Sequence, residues 1–138
     1  MVLMIFFPVW VAVDNSVEKM LFPLHYTIKS GDARNTIYFP YALCAMLAIA
    51  ATTVALIEIG KFEDRLLQLK LAAFNSLLMA GTIGSSVYFA TRLMKVNQMA
   101  GDYGLAMYLP TVAMISNMIA NYFIRRDEKL VRDSDRIR

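Results

Sequence analysis

The feature that most constrains this chain is a set of three long stretches with almost no charge. Residues 37–59 contain one charged side chain, Glu58, and residues 71–90 and 104–124 contain none. A helix needs about 20 mostly apolar residues to cross a hydrocarbon core of about 30 Å. The stretches do not alternate between polar and apolar residues over about 10 residues, as the strands of a membrane β-barrel do. The sequence therefore predicts three membrane-spanning helices.

The composition indicates an integral membrane protein that forms a single domain over residues 1–138. Of these residues, 58% are hydrophobic and 18% are charged, whereas soluble domains carry about 45–50% and about 25%. The single Cys44 excludes an internal disulfide and a cysteine-based metal site. The single His25 excludes a haem or metal site that takes several histidines from one chain.

The N-terminal residues 1–13 are apolar but too few to span a membrane. As a helix they cover about 20 Å, and they lack the basic segment and the cleavage site of a signal peptide. Pro8 and Trp10 are typical of the outer end of a membrane helix, where Trp lies at the interface. We therefore expect an all-α membrane protein, a four-transmembrane-helix bundle whose first helix begins upstream of Met1 and is truncated in this sequence.

The connection between the first two helices contains two runs with strand-like composition, 9–13 and 21–28. The turn signal Asp14-Asn15-Ser16 lies between them. These runs predict a short β-hairpin in the first extracytoplasmic loop. An isolated hairpin is marginally stable, so this one would have to pack on the bundle or on a partner.

Basic residues outside the spans predict the orientation. The connection 60–70 and the tail 125–138 carry more of them than the longer connections 14–36 and 91–103. The positive-inside rule therefore places the short connection, the tail and both termini in the cytoplasm. Outside the spans no basic helix carries interleaved aromatic residues, so no nucleic-acid partner is expected. The basic residues of the tail either fix the topology alone or also contact lipid head groups or a cytoplasmic partner. They are Arg125, Arg126, Lys129, Arg132, Arg136 and Arg138.

Uncharged polar residues recur at helical spacing inside the spans. Small and polar side chains let membrane helices approach closely and hydrogen bond across the contact. We predict a helix-packing face that serves the bundle itself or another subunit, and the alternative is the lining of a ligand cavity. The residues of this face are Asn75, Thr82, Ser86, Asn117 and Asn121.

The sequence shows no set of residues typical of an active site. It has no serine–histidine–aspartate set, no phosphate loop and no metal-ligand cluster. We therefore expect a protein that is not an enzyme and has no catalytic residues, metal or cofactor. Glu58 lies near one end of its span, and Lys61 is available as an ion-pair partner at helical spacing. The alternative for Glu58 is a proton or cation site at the cytoplasmic mouth.

The C-terminal run IRRDEKLVRDSDRIR (124–138) resembles the ending of an uncharacterised membrane family of Bacteroidota. That family is number 4293 in the series of domains of unknown function, and its members end close to RKDEKLVRSADRLR. The run Phe6-Phe7-Pro8-Val9-Trp10 resembles the FFPLW-like end of the family's first helix. The resemblance implies four hydrophobic helices in the bacterial inner membrane with both termini inside, and it implies no activity.

Two functions fit these observations. The first is a non-enzymatic accessory or scaffold component of a larger membrane assembly, in contact with membrane lipids and other membrane subunits. The second is a lipid or small-molecule binding or transport protein that acts as an oligomer. An enzyme would need groups from another chain or from the outer loop around His25, where nothing fixes them at useful spacing.

The start of the chain provides a test of the truncated first helix. Members of the resembled family open with a short polar segment of the MIQRIQ kind, which this sequence lacks. We expect N-terminal peptide mapping of the native protein to find residues upstream of Met1. A native N terminus at Met1 would contradict the hypothesis.

Overall fold

The computed structural model of the chain describes residues 1–14, 17–61 and 63–135. It combines a bundle of long helices with an antiparallel sheet. A short 3-10 helix, Val2–Phe6, comes first along the chain. The strands are β1 Trp10–Asp14, β2 Val17–Leu21, β3 Tyr26–Ser30, β4 Ala33–Ile37 and β5 Asp102–Tyr103, and the helices are α1 Ala42–Gly60, α2 Arg65–Asn97 and α3 Leu105–Asp135.

The first four strands form a meander, and β5 joins its β1 edge. The order of the strands is β4-β3-β2-β1-β5. Gly31, in the β3–β4 turn, has a φ of 56°, which only glycine adopts without strain. Trp10 pairs with Leu21, and Leu21 with Tyr26, so their side chains lie on the same face of the sheet. That face is the inner one and lies in the main hydrophobic core.

The central element is α2, which packs on α1, on α3 and on the sheet. Seven of its buried residues recur every three or four positions: Ala72, Asn75, Met79, Thr82, Ser86, Phe89 and Leu93. Ala90 is also buried, beside Phe89. Asp64 begins the helix, because its side chain accepts a hydrogen bond of 3.1 Å from the Leu67 backbone N–H. At about 1.5 Å per residue α2 is about 50 Å long, so its last turns extend beyond α1 and reach the sheet. There Lys19 Nζ on β2 donates to Asn97 Oδ1 at 2.7 Å.

The core of this junction is built around Trp10. Its side chain has no exposed surface, and it shares a cluster with Leu21 and Tyr26 of the sheet and Phe89 and Leu93 of α2. The prediction that Trp10 lies at the outer end of a membrane helix is therefore wrong, since residues 1–13 contain the 3-10 helix and most of β1.

The four-transmembrane-helix bundle is also wrong. The described residues contain three α-helices and a five-stranded sheet. Two of these helices, α1 and α2, are long and apolar enough to cross a membrane. The third, α3, is less apolar because Pro110, Asn117 and Asn121 interrupt its hydrophobic residues and its end is charged.

The predicted hairpin covered only part of the sheet. The predicted first strand, 9–13, corresponds to β1, but the predicted second strand, 21–28, covers the end of β2, the β2–β3 turn and the start of β3. The partner of β1 is therefore β2, and β3, β4 and β5 extend the pairing. Asn15 and Ser16 of the predicted turn lie outside the described residues. The second predicted span, 37–59, began too early, because Ile37 still belongs to β4 and α1 starts at Ala42.

The β2–β3 turn lies against the start of α1. The Ala45 backbone N–H donates to the Pro23 carbonyl at 3.1 Å, which satisfies one of the unpaired donors at the helix N-terminus. His25 in this turn stacks on Phe22 with ring centroids 5.0 Å apart, and its ring lies 5.7 Å from that of Tyr38. Burial, and secondarily the positive charge of Arg34, lower the pKa of His25 from its ordinary value of 6.5.

Two glycines are required where the start of α3 meets β1. A Cβ on Gly101 would meet the Trp10 ring and the Val11 carbonyl oxygen, and one on Gly104 would meet the Pro8 carbonyl oxygen. We expect Gly101→Ala and Gly104→Ala each to lower the free energy of unfolding by about 1–3 kcal/mol. The fluorescence of the single Trp10 reports this unfolding directly. Gly84→Ala is the matched control: its Cβ meets nothing within 4 Å, so a comparable loss there would contradict the explanation.

The lowered pKa of His25 predicts a loss of stability in acid. The folded state favours the neutral imidazole more than the unfolded chain does. The contribution of neutral His25 to the free energy of unfolding should therefore be complete above pH 6.5. It should be lost as the pH falls below 6.5 and through the lowered pKa. Unfolding midpoints at about pH 8 and about pH 5 measure the change. His25→Phe keeps the ring stack and removes the proton, so it should be less acid-sensitive than the wild type, and equal sensitivity would count against the idea.

Candidate functional site

The candidate site is a furrow between α1 and α3, with α2 as its floor. Both outer helices pack on α2, and they make little contact with each other. The 3-10 helix fills the end of the gap nearer the sheet, and the rest is an open cavity of about 580 Å³. The furrow is lined by Met1, Val2 and Leu3, by Ala51, Thr52, Ala55, Glu58 and Ile59 of α1, by Asn75 and Met79 of α2, and by Ala113, Ser116, Asn117 and Ala120 of α3.

Small side chains on both walls keep the furrow wide. On α1 these are Ala51 and Ala55, four residues apart, and on α3 they include Ser116 and Ala120 at the same spacing. Residues four apart lie on one face of a helix. The two walls therefore present two small-residue faces to the same space, which is the arrangement that lets membrane helices approach closely.

Asn75 is the polar group on the floor of the furrow. Its side chain is 4% exposed, and its Oδ1 is buried with no hydrogen-bond donor among the described residues. A buried amide oxygen without a donor costs about 1–3 kcal/mol. Asn75 thus lies on the floor of the furrow, while its unpaired oxygen is enclosed by the protein.

Asn117, on the α3 wall, behaves in the opposite way. Its Nδ2 donates to the Ala72 carbonyl at 3.0 Å and to Ser76 Oγ at 2.9 Å, and so joins α3 to α2. Thr82 is buried and donates to Leu78 in its own helix. Ser86 Oγ and Asn121 Oδ1 are buried without partners among the described residues. Of these predicted packing residues, the furrow is lined by Asn75 and Asn117.

Glu58 closes the furrow at the end farther from the sheet. Its side chain is 7% exposed, although it lies in the last turn of α1. The helix ends at Gly60 and the backbone of Lys61 leaves helical geometry, so Lys61 does not pair with it. Among the described residues the one ion pair joins Glu18 and Lys29 on the sheet. The carboxylate of Glu58 has no cation beside it there.

Other chemistry at the furrow is limited. Within 1–14, 17–61 and 63–135, no group of three or more His, Cys, Asp or Glu residues could hold a metal ion. Cys44 is buried, and its Sγ donates to Ser85 Oγ at 3.4 Å across the α1–α2 contact. The furrow therefore offers an apolar space between small residues, with Glu58 at one end.

The basic tail lies on the continuation of α3. The helix runs unbroken to Asp135, and its last turns expose Arg125, Arg126, Lys129 and Arg132. Arg136 and Arg138 lie outside the described residues. The tail is thus separate from the furrow, since the last residue of α3 that lines the furrow is Ala120.

Sequence analysis missed that Glu58 and Asn75 share one space. Each was visible as a polar residue in an apolar stretch, and Ala51 and Ala55 were visible as a small-residue pair. No signal in the sequence shows that α1 and α3 stay apart. Because the two helices stay apart, their small-residue faces line an open furrow instead of packing on each other.

The chain was compared with known proteins. The family model described as Domain of unknown function (DUF4293) matches residues 1–137. No curated protein matches the chain. No solved structure matches it either.

The contrast between the two asparagines predicts opposite mutational effects. Asn117→Leu removes two hydrogen bonds between α3 and α2, and we expect it to lower the free energy of unfolding by about 0.6–1.7 kcal/mol. Asn75→Leu removes a buried acceptor that has no donor among the described residues, so the stability should stay the same or rise. Unfolding by denaturant in bicelles measures both. An equal loss for both variants would contradict the assignment of the Asn75 oxygen as an unpaired acceptor.

Proposed function

We propose that the chain, which belongs to the DUF4293 family, is a non-enzymatic accessory or scaffold component of a larger membrane assembly. It would bind a membrane helix of another subunit in the furrow between α1 and α3. The observation that carries this proposal is the open, apolar furrow, whose two facing walls are lined by small residues. Such faces let a further membrane helix approach closely.

The shape of the furrow favours a helix as its occupant. The α1 wall runs from Ala51 to Ile59, which is about 12 Å, or slightly more than two turns. Small residues on both walls allow the backbone of an incoming helix to approach closely. Dispersion contacts would then hold it, as in other membrane helix pairs.

The proposed placement in the membrane follows from α1, α2 and the charges. Both helices are apolar enough to span, and the sheet lies at the end of the bundle opposite the connection 61–64. The positive-inside rule supports a cytoplasmic position for that connection and for the tail, in the bacterial inner membrane with both termini inside. Arg125, Arg126, Lys129 and Arg132 would then meet anionic head groups or a cytoplasmic part of the same assembly.

The second candidate is a lipid or a small amphiphile bound in the same furrow. The volume of about 580 Å³ lies within the range of about 300–1,000 Å³ typical of ligand pockets. An acyl chain would lie along the apolar walls of the furrow. In this candidate a lipid, and not a helix of another protein, occupies the furrow.

Photocrosslinking in native membranes separates the two candidates. A photoreactive phenylalanine analogue at Ala120 lies in the furrow, and the same group at Tyr122 lies outside it on the same helix. We expect a discrete adduct with a transmembrane segment of one other protein at Ala120 and not at Tyr122. Adducts with lipid alone at Ala120 would support the second candidate. The same adducts at both positions would contradict a role for the furrow.

A further inference from the structure

We propose that the end of α2 next to the sheet binds the phosphate of an anionic phospholipid, with the bilayer surface at the base of the sheet. The site is a second cavity, of about 620 Å³, that shares no lining residue with the furrow. It is lined by Tyr88, Thr91, Arg92, Lys95 and Val96. The proposal shares with the proposed function the membrane position of α1 and α2, but it is independent of what fills the furrow.

The uncharged part of α2 has the length of a bilayer crossing that ends at Arg92. Between Lys70 and Arg92 the helix carries no charged residue. At about 1.5 Å per residue these two residues are about 33 Å apart along the helix, and a hydrocarbon core is about 30 Å thick. With Lys70 at one surface, Arg92 therefore lies at the other, where the hydrocarbon ends and the phosphate groups begin.

Exposed aromatic side chains lie near the sheet end of all three helices. Phe39, which precedes α1, is 86% exposed, and Tyr88 on α2 and Tyr108 on α3 are each 59% exposed. Their elements meet at one level, because the rings of Tyr41 and Phe89 lie 5.4 Å apart and the start of α3 joins the same core cluster as Phe89. Aromatic rings concentrate where a membrane meets water, so this level matches the surface that the length of α2 indicates.

The sheet continues away from that level. Lys19 donates to Asn97, which lies about 12 Å beyond Phe89 along α2. Ile28 pairs with Lys19, and Ser30 lies two residues further along β3. The far end of the sheet therefore stands outside the bilayer, on the same side as Arg92 and Lys95.

The protein does not neutralise the two cations of the cavity. Arg92 and Lys95 are exposed, and neither has a carboxylate within ion-pair distance among the described residues. The helix dipole favours a cation at Lys95, in the last turn of α2, but its effect is confined to that turn and does not extend to Arg92.

The chemistry of the cavity matches a lipid phosphate. Arg92 and Lys95 are three residues apart and lie on one face of the helix. Tyr88 lies one turn below Arg92 on the same face, and its hydroxyl is a further donor. A phosphate accepts hydrogen bonds from such groups, and its acyl chains would run down the apolar surface of α2.

Photocrosslinking to lipid tests the site at two matched tyrosines. A photoreactive phenylalanine analogue replaces Tyr88 or Tyr108 in the full-length chain, in nanodiscs of phosphatidylcholine and phosphatidylglycerol. Mass spectrometry gives the lipid composition of the adducts. At Tyr88 we expect phosphatidylglycerol to be enriched about fivefold or more over its share of the nanodisc, because nearby basic residues attract anionic lipid. At Tyr108 we expect no enrichment, since residues 104–124 carry no charge.

Two pairs of substitutions assign the enrichment to the cations. Arg92→Gln with Lys95→Gln should return the adducts at Tyr88 to the composition of the nanodisc. Lys29→Gln with Arg34→Gln is the matched control, because it removes two exposed cations from the sheet and should leave the enrichment unchanged. The thermal midpoint of each variant shows that it folds. Excess glycerol 1-phosphate, a head group without acyl chains, should not reduce the enrichment.

A spin label measures where the bilayer surface lies. The label is attached to a cysteine at Phe39 or at Ser30, in a chain that carries Cys44→Ala so that no other thiol reacts. We expect the label at Phe39 to be accessible to dissolved oxygen and protected from a water-soluble nickel complex. At Ser30 the nickel complex should reach the label freely.

The outcomes separate this inference from the proposed function. Equal enrichment at both tyrosines, enrichment that survives Arg92→Gln with Lys95→Gln, or an equal loss in the control pair would overturn the lipid site. Competition by glycerol 1-phosphate would overturn it as well, since the site would then bind a soluble phosphate. Each of these results leaves helix docking in the furrow standing. A label at Phe39 that the nickel complex reaches as freely as at Ser30 would overturn both the lipid site and the proposed membrane placement.

Discussion

The packing of α2 against three neighbours is the constraint on which the rest of the structure depends. One buried stripe along α2 contacts α1 and α3, and the upper part of the same stripe contacts the sheet around Trp10. A helix of about 50 Å is long enough to do both. The sheet and the bundle are therefore one cooperative unit, and Lys19, which donates to Asn97, adds a polar link at the far end of that contact.

The furrow is a consequence of the same arrangement. Because α1 and α3 both pack on α2 and touch each other little, a gap remains between them wherever the 3-10 helix does not reach. Small residues on both walls widen that gap, and bulkier ones would have closed it by contact between the helices. Asn75 and Glu58 line the gap because they lie on the faces of α2 and α1 that border it.

The sequence predicted the long helices well and the rest of the fold poorly. Hydropathy located most of α1, α2 and α3, because an uncharged apolar run of about 20 residues is typical of a long helix. Residues 1–13 were misassigned because a short apolar run fits a helix or a buried strand equally well. The β-branched residues Val9, Val11 and Val13 favour a strand, but the partners that stabilise it come from distant parts of the chain, including β5. Gly101 and Gly104 have no local signature that shows Trp10 and Pro8 lying against them.

The site shows the same division between local and distant information. Asn75 and Asn117 are the same residue type in similar apolar runs, so spacing alone assigned them one role. The structure separates them, since Asn117 donates to Ser76 and to the Ala72 carbonyl, whereas the Asn75 oxygen is buried without a donor among the described residues. A buried acceptor without a donor reduces the stability of the chain. Whether an asparagine finds a partner depends on which residues of the neighbouring helix lie opposite it, and neither its type nor its spacing in the sequence carries that information.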